Sequence, residues 1–241
     1  MTNAPVIIRR TGDILDIILN RPDKGNSLSL EMGDIIIKAL ANLEDSVKLL
    51  RLTGNGADFC TGRDSPIPTL GPKPSAETIR SVVAAPPLAL YDALKNTPVP
   101  VVGIVRGKVV GAGCGLACVC DITFCAEDAV FSIPEMERDI PPTLVMAALI
   151  GRVPVKTLGY MVYSRASLSA SEALQFGLVK RVVPADQLDA EAEKLVSTMA
   201  SNTAVTLRAV KQYLHLAPEM SSQAASGFVA HLAATPLSIR F

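Results

Sequence analysis

Apolar positions in the first half of the chain fall in short alternating runs, and in the second half they recur at the helical period. "VIIRR", the turn "TGD" and "ILDIILN" predict a β-hairpin ending at Asn20. After the loop "RPDKGNS", Met32, Ile35, Ile36, Ala39, Leu40 and Leu43 trace one face of a helix, with Ser29 as its N-cap. "VKLLRLT" reads as a buried strand that runs into the glycine-punctuated loop "GNGADFCTGRDS". Eight prolines between Ser65 and Pro100 make that stretch irregular, with helix expected between Ala76 and Lys95 and a break at Pro86-Pro87. "VVGIVR" is a further strand, and "DITFCAEDAVFSI" two short strands around the turn Ala126–Ala129. Beyond Pro141 the segments "TLVMAALIGRV", "VKTLGYMVYS", "SASEALQFG", "ADQLDAEAEKLVSTMAS" and "VTLRAVKQYLHLA" are helical. Strands and helices alternate first and helices prevail last, with no linker, internal repeat or low-complexity tract, which predicts one α/β core with a helical C-terminal third.

Charge and cysteine usage narrow the function classes. Lysine plus arginine and aspartate plus glutamate both number 23 in 241 residues, so no basic stripe is on offer to a phosphate backbone and nucleic acid is excluded as the expected partner. "MTNAPVIIRR" has no apolar core of a secretory signal, and runs such as "LVMAALI" are far too short to span a membrane, so a soluble cytoplasmic protein without membrane partners is expected. Four of five cysteines crowd into Cys114–Cys125 as C-x3-C-x-C-x4-C, which is not the paired spacing of a zinc ribbon. They read as reduced core thiols with no metal, Cys114 and Cys118 sharing a helix face.

Chemistry concentrates around "VVGAGCGLACVCD", which places three glycines in five residues after a strand. A dinucleotide fingerprint fails because residue 116 is leucine, and "GIVRGKV" is one residue short of a phosphate-binding loop and lacks its hydroxyl. His215 and His231, the two histidines, lie near no nucleophile motif, so a hydrolase triad has no support. Two readings remain open from this stretch alone: a tight turn, or a helix starting near Ala112 that offers free amides to an oxyanion. "FCTGRD", a second small-residue turn after a strand, adds weight to the oxyanion reading, since two loops can each give one amide to the same oxygen.

Four stretches in order, across roughly residues 6–215, resemble the enoyl-CoA hydratase/isomerase (crotonase) superfamily: "LNRPDKGNSLS", "FCTGRD", "PVVGIVRGKVVGAGCGLACVCDITFCAEDAVFSIPE" and "SASEALQFGLVKRVVPADQL". The resemblance implies an α/β crotonase-like fold, a ββα spiral core over residues 1–190 and a helical C-terminal trimerisation region over 191–241. It implies an enzyme whose substrate is an acyl-CoA thioester, with coenzyme A part of that substrate and no prosthetic group, assembled as a homotrimer or dimer of trimers. The family's two oxyanion amides map onto Thr61 and Ala112, and its CoA contacts onto Lys24, Gly25, Arg63 and Asp64. Of the two glutamates in the family's hydratases, one falls on Gly115 and the other on Glu135, so the turn keeps its amides and lacks the first acid.

A single glutamate can shuttle a proton between C2 and C4 of an enoyl thioester, as in the family's Δ3-Δ2-enoyl-CoA isomerases, and some hydratase members also keep mainly this residue. Glu137 and Asp139 are read as surface charges, unless one turns inward and rebuilds a two-carboxylate site. The second reading of the whole chain is a non-catalytic acyl-CoA-binding or scaffold member that lost its first glutamate. The sequence ends at "LAATPLSIRF", before the family's usual final segment, and the proline-rich 65–87 stretch falls where the family covers its acyl chain, so pocket and assembly are expected to depart from the pattern.

Overall fold

Alternation of apolar residues builds a sheet covered on both faces. The computed structural model describes residues 4–64 and 73–238. Strands β1 (Val6–Thr11) and β2 (Ile14–Leu19) form the expected hairpin, followed by helix α1 (Leu30–Ala41) and strand β3 (Leu49–Gly54). Helices α2 (Ala76–Ile79) and α3 (Ala85–Asn96) precede β4 (Val101–Val105), β5 (Lys108–Val110) and helix α4 (Ala112–Val119). Next come β6 (Ile122–Ala126), β7 (Val130–Ser132), α5 (Thr143–Leu149), α6 (Val155–Ser164), β8 (Leu168–Ser169), α7 (Ala170–Gln175) and β9 (Arg181–Val183). Helices α8 (Leu188–Ala200), α9 (Ala204–Leu216) and α10 (Ser222–Ser238) complete the described chain. One sheet has the order β1-β2-β3-β4-β6-β9, parallel from β2 onward, and a second has the order β5-β7-β8.

The period of two decides what each face meets. Leu15, Ile17, Leu50, Leu52, Val101 and Val105 enter the main core with Met32 and Ile36 of α1 and Leu90, Tyr91 and Leu94 of α3. The alternate positions Leu49, Val102, Ile104 and Phe124 pack on Leu188, Ala192 and Val196 of α8. Helix α8 spans residue 190 and belongs to the sheet, whereas α10 buries no residue and stacks on α9 through Tyr213 and Phe228, ring centroids 6.3 Å apart.

Several elements add to or depart from the sequence expectation. The two strands of "DITFCAEDAVFSI" flank the turn Ala126–Ala129 as expected, and they enter different sheets, because β7 lies beside β5 rather than β6. Pro86 and Pro87 do not break the helix: they occupy the first turn of α3, directly after a π-helical turn at Arg80–Ala84, where missing amides cost little. Helix α10 and the short strands β5, β8 and β9 have no counterpart in the sequence reading. The part of the proline-rich segment spanning 65–72 lies outside the described residues.

A buried ion pair ties α9 to the sheet. Lys211 Nζ donates to both oxygens of Asp121 at 2.8 and 2.6 Å, and Asp121 also accepts the Val101 amide at 2.8 Å. The Lys211 side chain is 4% exposed, so its removal leaves a carboxylate with little water to replace the ammonium. Lys211→Met is expected to lower stability by about 3 kcal/mol, read as a shift of the urea midpoint.

Candidate active site

Loop 59–64 is stitched to β5. The Cys60 amide donates to Lys108 O at 3.2 Å, and the Val110 amide donates back to Cys60 O at 2.9 Å. The N-terminus of α4 follows β5 directly and presses on the same loop; a Cβ at Gly113 would stand 2.3 Å from Cys60 O, so only glycine permits this approach. On the loop's other side, Leu28 donates to Gly62 O at 2.9 Å and accepts from the Asp64 amide at 3.0 Å. Bonding at 62 and 64 turns the amide of residue 63 away from Leu28, and no acceptor meets it among the described residues. The Ala112 amide, first in α4, likewise has no intrahelical partner.

This geometry corrects the assignment of Thr61. Its amide is already engaged, donating to Gly25 O at 2.9 Å, and its hydroxyl donates to Lys24 O at 3.3 Å. A Cβ on Gly25 would stand 2.6 Å from Thr61 Cγ2, which explains a glycine there at φ +56°. Among the amides that meet no acceptor among the described residues are those of Gly62 and Arg63 in the loop and of Ala112 at the head of α4, and of these Arg63 is the one the Leu28 bridge turns outward; no signal in the sequence fixes that two-residue shift from Thr61. Asp64 is held by Ser27 at 2.7 Å and Arg21 at 2.8 Å. Partial burial would raise its pKa, but these bonds outweigh it and keep the carboxyl below its ordinary range. Lys24 is exposed at the rim of this loop pair.

Glu135 stands at the other side of the gap. It opens a 3-10 turn, Glu135–Arg138, after Pro134, and the Ile140 amide closes the turn on Glu135 O at 3.2 Å. Its carboxylate lies across Gly111, the N-cap of α4: a Cβ there would meet Oε1 at 2.5 Å, and the backbone at φ +51° already favours glycine. Oε2 is buried with no hydrogen-bond partner among the described residues. Burial pushes the carboxyl above its ordinary range, against the pull of its own backbone amide and of Arg138. Glu137 and Asp139 are exposed and absent from the cavity wall, so the turn does not rebuild a two-carboxylate site.

Arg63, Ala112 and Glu135 line one cavity of about 370 Å³, with Tyr91, Val83, Pro87, Leu144 and Val145 among its other walls. Tyr91 was not anticipated. It is 1% exposed, and a Cβ at Gly115 would meet its hydroxyl oxygen at 2.5 Å and its Cζ at 2.6 Å. The tyrosine thus fills the space of the absent first glutamate. The signal was present in the helical spacing of Leu90, Tyr91 and Leu94, but the partner at residue 115 is visible only in three dimensions. All five thiols are free and buried, burial lifting Cys60 to about 11, so they serve as core side chains rather than nucleophiles. No cluster of metal-ligating side chains occurs among the described residues, nor is any helix among them long and apolar enough to cross a membrane.

A model of the family Enoyl-CoA hydratase/isomerase matches residues 9–236. The chain belongs to that family. It is 32% identical to 2,3-dehydroadipyl-CoA hydratase of Escherichia coli (strain K12), over 92% of this chain and 86% of that protein. An enoyl-CoA hydratase structure from Mycobacterium smegmatis superposes with a TM-score of 0.90 at 26% identity, covering 98% of this chain and 91% of the other. A structure described as a putative enoyl-CoA hydratase from Thermobifida fusca YX in complex with acetoacetyl-CoA gives 0.87 at 25% identity, covering 98% and 95%. The fold is therefore the α/β crotonase fold, and the chain is an enzyme of a CoA-binding family.

The buried carboxylate of Glu135 has a thermodynamic consequence. A carboxyl whose folded pKa exceeds its unfolded pKa binds more protons when folded, so stability falls as pH rises through that interval. Glu135→Gln is accordingly expected to melt higher than the wild type near neutral pH and equally below the ordinary carboxylate range of about 4. Thermal melts of both proteins across pH check the sign.

Proposed function

We propose that this enzyme adds water reversibly to a 2-enoyl-CoA thioester, with Glu135 carrying the proton and the amides of Arg63 and Ala112 holding the enolate oxygen. The observation that carries this reading is the Glu135 carboxylate lying against Gly111, one residue before the Ala112 amide at the head of α4. Glu135 takes a proton from water as the water oxygen bonds to C3. The electron pair moves onto the thioester oxygen, where two fixed donors oppose its charge. Glu135 then returns the proton to C2, and the pair returns to carbon. A carboxyl pushed upward by burial suits a group that must both take and give a proton. The family match and a hydratase relative at 32% identity support the same chemistry.

A second reading rests on the single carboxylate in the cavity wall. With no other acid there, Glu135 could move a proton between C2 and C4 of a 3-enoyl thioester, an isomerisation that needs no water. Lys24 and Gly25 remain the proposed CoA contacts at the rim, and Asp64 acts there through Arg21 and Ser27. Exposed Val210, Leu214, Val229 and Leu237 on α9 and α10 support assembly through the C-terminal helices as a homotrimer or dimer of trimers, which light scattering tests.

Absorbance of the conjugated thioester separates the readings. Loss of absorbance with a 2-enoyl-CoA is the expected result, whereas a rise with a 3-enoyl-CoA and no change with the 2-enoyl ester would favour isomerisation. No change with either ester would contradict both and favour the non-catalytic acyl-CoA-binding alternative.

A further inference from the structure

Half-buried Arg63 lines the cavity, and nothing in the reaction proposed above uses its side chain. Its Nη1 donates to Val83 O at 2.6 Å. No carboxylate pairs with it among the described residues, and the segment 65–72 that follows contains neither Asp nor Glu. A guanidinium presents five donors, and this partly buried one meets a single neutral carbonyl and no countercharge among the described residues. Burial depresses its pKa, in keeping with that shortage.

A further group on the same wall shows the same imbalance. The Tyr91 hydroxyl reaches one acceptor among the described residues, Ala112 O, at a long 3.4 Å. Burial pushes its pKa up, so it stays protonated and keeps a proton to donate. Exposed Arg138 adds a second positive charge to the cavity lining. Against these donors the wall offers one carboxylate, Glu135, which the proton transfer requires and which Arg63 does not ion-pair. A plain alkyl chain would lay methylenes against a half-buried guanidinium and a buried hydroxyl.

We infer that the acyl group of the substrate carries a second, free carboxylate, as in the monothioester of a dicarboxylic acid, bound by the Arg63 guanidinium with the Tyr91 hydroxyl beside it. The inference rests on the acyl-CoA reading above. Val83, Pro87, Leu144 and Val145 supply apolar walls for the methylenes between thioester and carboxylate. The planar fork of Arg63 matches two carboxylate oxygens, and the pairing supplies the countercharge that the protein withholds. Arg63 then serves twice, its backbone amide at the thioester oxygen and its side chain at the far end of the acyl group.

Saturated esters isolate binding from chemistry. Adipoyl-CoA and hexanoyl-CoA differ only in the terminal carboxylate, as do glutaryl-CoA and pentanoyl-CoA, and calorimetry measures each with the wild-type protein. The carboxylated member of at least one pair is expected to bind about tenfold tighter, the effect of one charge-assisted contact. Arg63→Leu keeps the backbone amide and is expected to bring the two members of the pair to equal affinity, the ratio within the pair being the readout; Tyr91→Phe is expected to reduce the preference in part. Equal binding within both wild-type pairs overturns the inference and leaves the acyl-CoA reading intact. Equal weakening of both members by Arg63→Leu places the guanidinium on the CoA portion and also overturns it. Binding of none of the four esters removes the acyl-CoA reading, and the inference with it.

Discussion

Glu135→Gln is expected to lower turnover by about 10³-fold while acyl-CoA binding stays within a few-fold of the wild type, since removing a positioned acid–base group costs about 10²–10⁴. The glutamine keeps the volume that lies against Gly111 and loses only the group that accepts a proton. No second carboxylate lines the cavity to take over, so compensation by a neighbour is not available among the described residues. The separation between kcat and binding is the informative part: a residue that merely shaped the pocket would move both. In the wild type, the acidic limb of kcat/KM is expected above the ordinary carboxyl range, because burial raises the pKa of the base. Steady-state rates with a 2-enoyl-CoA across pH, beside calorimetric binding of a saturated ester, check both halves.

Gly113→Ala is expected to cost about 10²-fold in kcat, the loss associated with misplacing a reacting geometry by about 1 Å. The added methyl would stand 2.3 Å from Cys60 O and 3.0 Å from Cys60 Cβ. Backbone cannot yield there as a flexible side-chain end would, because Cys60 is bonded on both sides to β5. Helix α4 and the 59–64 loop must therefore separate, and the amides of Ala112 and Arg63 separate with them. Gly227→Ala is the control: no atom lies within 4 Å of a Cβ there, and activity is expected to be unchanged. Loss of rate with retained fold, measured by kcat beside the far-ultraviolet dichroism spectrum, is the expected pattern.

Much of this architecture was legible because its determinants are local. The hairpin at 6–19 needs only alternating residues around Gly12, and α1 only its apolar period and the Ser29 hydroxyl that accepts the Met32 amide. Helix α4 follows from the glycines before it, whereas Glu135 stands out only through the family resemblance of the stretch that ends "FSIPE". Features that depend on long-range contacts were hidden. Whether residue 61 or 63 presents its amide is fixed by Leu28, more than thirty positions earlier, through bonds at 62 and 64. Tyr91 meets Gly115 only because α3 lies over α4, and the sequence shows merely an aromatic residue at helical spacing. The prolines at 86 and 87 read as a break because the π-helical turn that admits them has no composition of its own.

The central claim is that Glu135 exchanges a proton with C2 of a thioester whose oxygen is held by two amides. The most direct measurement follows hydrogen at C2 of a saturated acyl-CoA by proton NMR in D2O, with wild-type protein and with Glu135→Gln. Saturated esters can neither hydrate nor isomerise, so exchange reports enolisation alone. The account predicts deuterium incorporation at C2 with the wild type and none above background with the variant. Incorporation at equal rates in both would contradict it, because the proton would then be moved by a group other than Glu135.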